Sequence, residues 1–301
     1  MDDYKKGIIF ALLAAVISGF SIIANKIFIV DMEPIAFTAV RAFIIGIIFF
    51  VISSYYWKFD FEKFRRISWK YLIAIALIGG AIAFYLFFTG LKLTTGGRAA
   101  FIHKTLPIFV VVLSFIFLKE KLNRKETYAF IVMIVGTLVL FIAQIGPDVL
   151  WANPTLGDLL ILGAAFFWAV ETVIAKKVMT REGSNFVVSF ARMFFGALFL
   201  FAGIIILGKL DSIVNLSLSQ WINILISTAI LFGYVFCWFY SLKYLKASKA
   251  SSYLLIAPVI SLILGVAVLS EPAPLWQLIG SALILMGAYF MSSKEKYVQA
   301  I

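Results

Sequence analysis

Glu171 stands in ILGAAFFWAVETVIAKK (161–177), where no other charged residue occurs between Asp158 and Lys176. A carboxylate in so apolar a setting is costly unless it is protonated, paired or facing water. It is therefore a candidate site for a substrate amine or a proton, the alternative being a buried partner for Lys176 or another base at the rim of a span. A second cluster, FIHKTLP (101–107), places His103 and Lys104 just before Pro107. These two bases could line a cavity and meet an anion; alternatively Lys104 reaches a polar surface along its aliphatic stem and His103 satisfies a nearby backbone group. Pro107 has no N–H, so the carbonyl of His103 loses its usual helical donor and the helix can loosen there. Ser18, Ser21 and Asn25, spaced by three and four, form a polar stripe on one helix face, as packing contacts or as cavity wall. Trp168, Tyr85, Tyr234, Trp238 and Tyr253 are candidate wall residues, although a chain that is 17% aromatic uses most of its rings for packing.

The elements that carry these residues are set by composition. Of 301 residues, 63% are hydrophobic and 14% charged, and the mean hydropathy is +1.05. At about 20 apolar residues per membrane-spanning helix, this is material for nine or ten spans. The spans are expected at 7–29, 34–54, 70–90, 97–118, 125–144, 157–177, 185–207, 219–241, 249–269 and 274–291. The chain reads as an all-α integral membrane protein. One cysteine, Cys237, and one histidine exclude a disulfide and a Cys/His metal cluster; no cofactor is expected. Ser18 and His103 are the one conceivable serine–histidine pair within spans, and no oxyanion-loop signature accompanies Ser18, so an enzyme is not expected.

The charge balance, 26 Lys and Arg against 15 Asp and Glu, would in a soluble protein suggest nucleic acid. Sorted by connection it is an orientation signal instead. With the N-terminus placed in the cytoplasm, nineteen basic residues fall in cytoplasmic segments, and only Lys92, Arg98 and Lys209 fall outside. That asymmetry predicts both termini in the cytoplasm, and no nucleic-acid partner.

The chain also repeats itself. A shift of 151 residues brings Lys26 onto Lys177, Arg41 onto Arg192, Lys92 onto Lys243, Pro107 onto Pro258, Glu120 onto Glu271 and Gly136 onto Gly287. Residues 1–150 and 151–301 are thus expected to be two units of five spans each. An odd number of spans inserts the second unit upside down, and the loop charges agree: the connection between spans two and three is strongly basic, and its counterpart between seven and eight is not. Inverted repeats are an architecture of secondary transporters, in which two halves rock about a shared central site. Matched placement assigns Arg41 and Arg192 an anchoring role near opposite membrane faces. Pro107 and Pro258 are expected to be flexible points, and Glu120 and Glu271 to cap or pair with neighbouring loops.

In LPIFVVVLSFIFLKEKL (106–122) a proline-bearing span runs into a Leu-x-Glu ending, and APVISLILGVAVLSEP (257–272) echoes it in the ninth. Over nearly its whole length the sequence resembles the EamA-type ten-span members of the drug/metabolite transporter superfamily. That resemblance implies movement of a small organic metabolite across the plasma membrane without ATP, through a cavity built from both halves. The expected function is secondary transport, as exporter or exchanger, by alternating access, with protons as a candidate coupling ion. The alternatives are a nucleotide-sugar-type exchanger of the same superfamily, and a channel or assembly protein. A pump is excluded because no Gly-x-x-x-x-Gly-Lys-Ser/Thr loop occurs. Helix rise separates Glu171 from the His103–Lys104 pair by about 12 Å in depth, so the two clusters are expected to bracket a solute such as a zwitterion, its amine at Glu171 and its anionic end at Lys104.

Overall fold

A computed structural model describes residues 2–57, 68–146, 154–181, 184–269 and 273–292. Glu271, and the basic residues of 58–67 used in the charge count, lie outside the described residues. Among those described the fold is all-helical, with no strand. The long helices are α1 (Asp3–Phe28), α2 (Pro34–Trp57), α3 (Trp69–Leu93), α4 (Gly96–Leu118), α5 (Arg124–Ile145), α6 (Leu156–Arg181), α7 (Asn185–Ile206), α8 (Leu218–Tyr244), α9 (Ala247–Ala267) and α10 (Leu275–Met291). The first nine are long and apolar enough to cross a membrane. At 17 residues, α10 is about 26 Å long, a little short of a typical hydrocarbon core of about 30 Å. Ile27, Val51, Phe117, Ile206 and Tyr289 are among the many large apolar side chains on the outside of the bundle, an arrangement suited to lipid and not to water.

Several helices depart from α geometry where their sequences demand it. α4 stops at His103, turns at Lys104 and Thr105, and resumes at Leu106. α9 passes through a 3₁₀ turn at Tyr253–Ile256 before continuing at Ala257. His103 and Leu254 each lie four residues before a proline, Pro107 and Pro258, whose ring and missing N–H forbid the ordinary hydrogen bond back to them. α3 and α7 contain π-type turns at Ala76–Ile82 and Ala191–Phe195, of the kind that often marks functional sites.

α5 packs along α10, α1 along α8, α3 along α6 and α2 along α7. The α5–α10 contact depends on small residues: a Cβ on Gly136 would lie 2.7 Å from the carbonyl oxygen of Gly280, and one on Gly280 would lie 2.7 Å from that of Gly136. Only bare backbones approach so closely.

Polar contacts fasten the bundle at both ends. At the end where α1 begins and α10 finishes, the Tyr4 hydroxyl donates to the Ser292 carbonyl (3.3 Å), and Glu120 accepts from the backbone N–H groups of Ala247 and Ser248, each at 3.1 Å. Glu120 therefore caps the N-terminal end of α9. Beside it Lys249 and Glu126 form a buried ion pair at 2.7 Å. At the opposite end Arg98 pairs with Asp158 at 2.5 Å and Lys209 with Glu33 at 2.9 Å. The Glu33 carboxylate raises the Lys209 pKa by hydrogen bonding and charge, although a pair this exposed contributes little to stability.

Two lysines show the same contact at opposite ends. Lys26 Nζ donates to the carbonyls of Leu91 and Thr94, and Lys176 Nζ donates to those of Leu242 and Leu245. The acceptors differ by the 151 positions of the sequence alignment, but the donors differ by 150. Lys176, rather than Lys177, is thus the counterpart of Lys26, and an ungapped alignment misses this by one residue between the first and second helices.

Candidate solute-binding site

Seven helices enclose a central cavity of about 70 Å³, room for several waters or a small organic group. Ser18, Ser21 and Asn25 of α1, Arg41 of α2, Phe84, Phe87 and Phe88 of α3, and His103 and Leu106 of α4 form one side. Trp168, Glu171 and Thr172 of α6, Arg192 of α7, and Ile230, Leu231, Tyr234 and Trp238 of α8 form the other. The stripe of Ser18, Ser21 and Asn25 thus faces the cavity, as do His103, Glu171, Trp168, Tyr234 and Trp238.

Glu171 owes its position to the π-type turn of α3. A Cβ on Gly79 would lie 2.2 Å from the Glu171 Cγ, and one on Gly80 would lie 2.0 Å from the Arg192 carbonyl oxygen. Two bare glycines therefore let α6 and α7 close on α3. Gly79 also accepts a hydrogen bond from Trp168 Nε1 at 3.0 Å, which fixes the indole one turn before Glu171. The buried Glu171 carboxylate faces Arg192 Nε at 3.5 Å, a long contact that leaves its Oε1 without a hydrogen-bond partner. Of the bases suggested as its partner, Lys176 is committed to backbone carbonyls, and Arg192 is the one that stands beside it. His103 stands among rings, 5.5 Å from both Trp168 and Phe87, with Nδ1 unpartnered.

Arg41 and Arg192 are not anchors near the membrane faces. Both are buried, both line the cavity, and among the described residues neither guanidinium bonds a backbone carbonyl. Arg41 Nη1 donates to Asn25 Oδ1 at 3.1 Å and to Ser227 Oγ, while the guanidinium lies over Phe37 at 4.1 Å and Phe88 at 4.6 Å. The sequence did carry a signal, two arginines at one repeat position inside apolar spans; depth along a helix alone does not say which way a side chain points.

Three expected wall residues lie elsewhere. Lys104 is buried but turns away from His103 into a second cavity of about 240 Å³ between α1, α4, α5 and α9, where it donates to Ser18 Oγ at 3.3 Å. Ser18 lines both spaces. Because α4 ends between them, neighbouring residues serve different cavities, and the expected bracket of Glu171 and Lys104 does not form across one space. Tyr85 lies on a partly exposed face, and Tyr253 is buried with its hydroxyl 2.9 Å from Ser292 Oγ, outside the cavity wall. Pro258 lines the second cavity, and Pro107 lines neither. Among the described residues no group of His, Cys, Asp and Glu is arranged to hold a metal ion.

A bundle of membrane-length helices around a buried polar cavity is the framework of a membrane transporter. The family model for the EamA-like transporter family matches this chain twice, at residues 5–142 and 155–293, and the chain belongs to that family. An uncharacterized transporter of Archaeoglobus fulgidus is 29% identical over 97% of this chain and 100% of its own length. The uncharacterized transporter YoaV of Bacillus subtilis is 27% identical over 92% and 94%, and an uncharacterized transporter of Clostridium kluyveri is 24% identical over 97% and 94%. A solved crystal structure superposes with a TM-score of 0.73 over 95% of this chain and 97% of that one at 19% identity, a likeness of fold alone.

Proposed function

We propose that this chain is a secondary transporter that moves a small organic solute across the cytoplasmic membrane by alternating access, as exporter or exchanger, with the central cavity as its binding site. The observation that carries this reading is the cavity's place: between two fastened ends of the bundle, with walls drawn from α1–α4 and from α6–α8. In this reading all ten helices span the bilayer, α10 with slight local thinning, and both termini are cytoplasmic. Residues 1–150 and 151–301 are inverted halves, which the matching contacts of Lys26 and Lys176 support.

Glu171, a residue of the cavity wall with one buried oxygen unpaired, is the proposed contact for a solute amine or a coupling proton. Ser21, Asn25, His103 and the aromatic rings complete the wall. The purified protein in proteoliposomes, challenged with a panel of metabolites with and without a pH gradient, tests this. Saturable flux is expected for at least one solute; a conductance that does not saturate would instead favour a channel.

A further inference from the structure

We propose that the cavity takes its solute as an organic monoanion, with Arg41 as the anion-binding residue; this rests on the transport reading and names its substrate class. The charged side chains that line the cavity are Arg41, Arg192 and Glu171. Glu171 offsets Arg192 at 3.5 Å. No carboxylate of the described residues pairs with Arg41, whose polar partners are the neutral Asn25 and Ser227. The cavity therefore carries one uncompensated positive charge, fully buried at Arg41, and burying a cation without an anion is unfavourable.

The donors left over have a definite shape. Nη1 is committed, while Nε and Nη2 have no hydrogen-bond partner. These two nitrogens form one edge of the planar guanidinium, the fork that meets a carboxylate through two parallel N–H···O bonds. Asn25 and Ser227 hold the opposite side of the group, and Phe37 and Phe88 hold it over their rings. The guanidinium is therefore held in one orientation, and because its free edge is fully buried a solute meets it only as the side chains between it and the cavity shift. The remaining wall, chiefly Phe84, Phe87, Trp168 and Trp238, suits an apolar or ring-bearing body. Lys104 is the other buried base nearby, but it opens on the second cavity.

Benzoate and benzamide, equal in shape and different in charge, test this on the full-length protein in detergent, with tryptophan fluorescence as the readout. Benzoate is expected to bind about 10- to 100-fold more tightly than benzamide, the range for hydrogen bonds to a charged group. Arg41→Gln should erase that preference, and Arg41→Lys, which keeps the charge and loses the fork, should reduce it. Wild-type protein that binds benzoate no better than benzamide, or binds neither, overturns the proposal without requiring any variant to fold. Full preference retained in Arg41→Gln or in Arg41→Lys overturns it as well. Flux of membrane-impermeant benzenesulfonate into proteoliposomes separates the two readings. Arg41-dependent benzoate binding without any solute flux removes the transport reading and leaves the anion site, whereas flux of neutral solutes with no benzoate preference does the reverse.

Discussion

The guanidinium of Arg41 lies over Phe88 at 4.6 Å, and that of Arg192 lies over Phe239 at 5.7 Å, both partners 151 positions further along the chain. The two arginines thus keep the same aromatic contact in both halves of the sequence while their polar neighbours differ. Arg41 has Asn25 and Ser227; Arg192 has Glu171. A duplicated scaffold has in this way acquired a cavity that is polarised from one wall to the other.

That difference makes Glu171 the side chain to remove first. Its contact with Arg192 is long and leaves Oε1 idle, so the pair is a weak brace. Glu171→Gln should abolish or uncouple transport while the protein still purifies as a folded monodisperse species, checked by flux in proteoliposomes beside size-exclusion chromatography. Wild-type turnover in this variant would mean that the carboxylate only packs.

Gly79 and Gly80 should tolerate no side chain. Ala at either position would place a Cβ within 2.2 Å of Glu171 or within 2.0 Å of the Arg192 carbonyl, and overpacking of this kind costs about 1–3 kcal/mol or more. Gly163 is the control, because its Cβ would meet only Leu86 Cδ1 at an ordinary 3.6 Å, and Ala there should be neutral or gain up to about 1 kcal/mol of helix propensity. Thermal unfolding in detergent reads the order; equal melting temperatures for Gly80→Ala and Gly163→Ala would contradict it.

The helices and the polar stripe of α1 were legible because both depend on period and length: 20 apolar residues must span, and spacings of three and four must share a face. The cavity roles of Arg41 and Arg192 were not, since their depth of about one to two turns suited an anchor as well as a wall. His103 and Lys104 show the limit in one dipeptide. Pro107 announced a loosened helix, but not that the chain would turn between the two bases and send them to different cavities. The π-type turns of α3 and α7 have no periodic signature at all, and it is the α3 turn, at Gly79 and Gly80, that brings Glu171 and Arg192 together.

The proposed orientation is tested at two exposed sites. In a Cys237→Ser background, Asn215→Cys, between α7 and α8, should react with an impermeant maleimide added outside intact cells. Lys121→Cys, beside the α9 cap, should react only after permeabilisation. The opposite pattern would invert the topology.

The pair of Glu126 and Lys249 should behave as a structural lock. Both side chains are buried, the contact is 2.7 Å, and Glu126 is also held by the backbone N–H of Asn123 at 3.0 Å. Lys249→Met leaves a buried carboxylate unpaired, a loss of about 3–5 kcal/mol, and adding Glu126→Gln should recover a large part of it. A double-mutant cycle by thermal unfolding should give a larger coupling here than for Glu171 with Arg192. Equal couplings would remove the distinction between lock and binding site.

Pro107 and Pro258 follow the two interrupted turns, at Lys104–Thr105 in α4 and Tyr253–Ile256 in α9. A helix that cannot complete its hydrogen bonds at such a turn can change its bend there at low cost. The cap of α9 by Glu120 and the ion pair of Lys249 hold the end of α9 that precedes this turn, so opening the bundle on that side requires α9 to move relative to α4 and α5. If the turns are the hinges, Pro107→Ala and Pro258→Ala restore continuous helix, and the exchange between inward and outward states slows. Transport rate should then fall severalfold while the affinity of the solute-binding step stays within about twofold, because neither proline lines the central cavity. Parallel measurements of turnover in proteoliposomes and equilibrium binding in detergent separate the two quantities. Unchanged turnover in both variants would assign the prolines to packing alone.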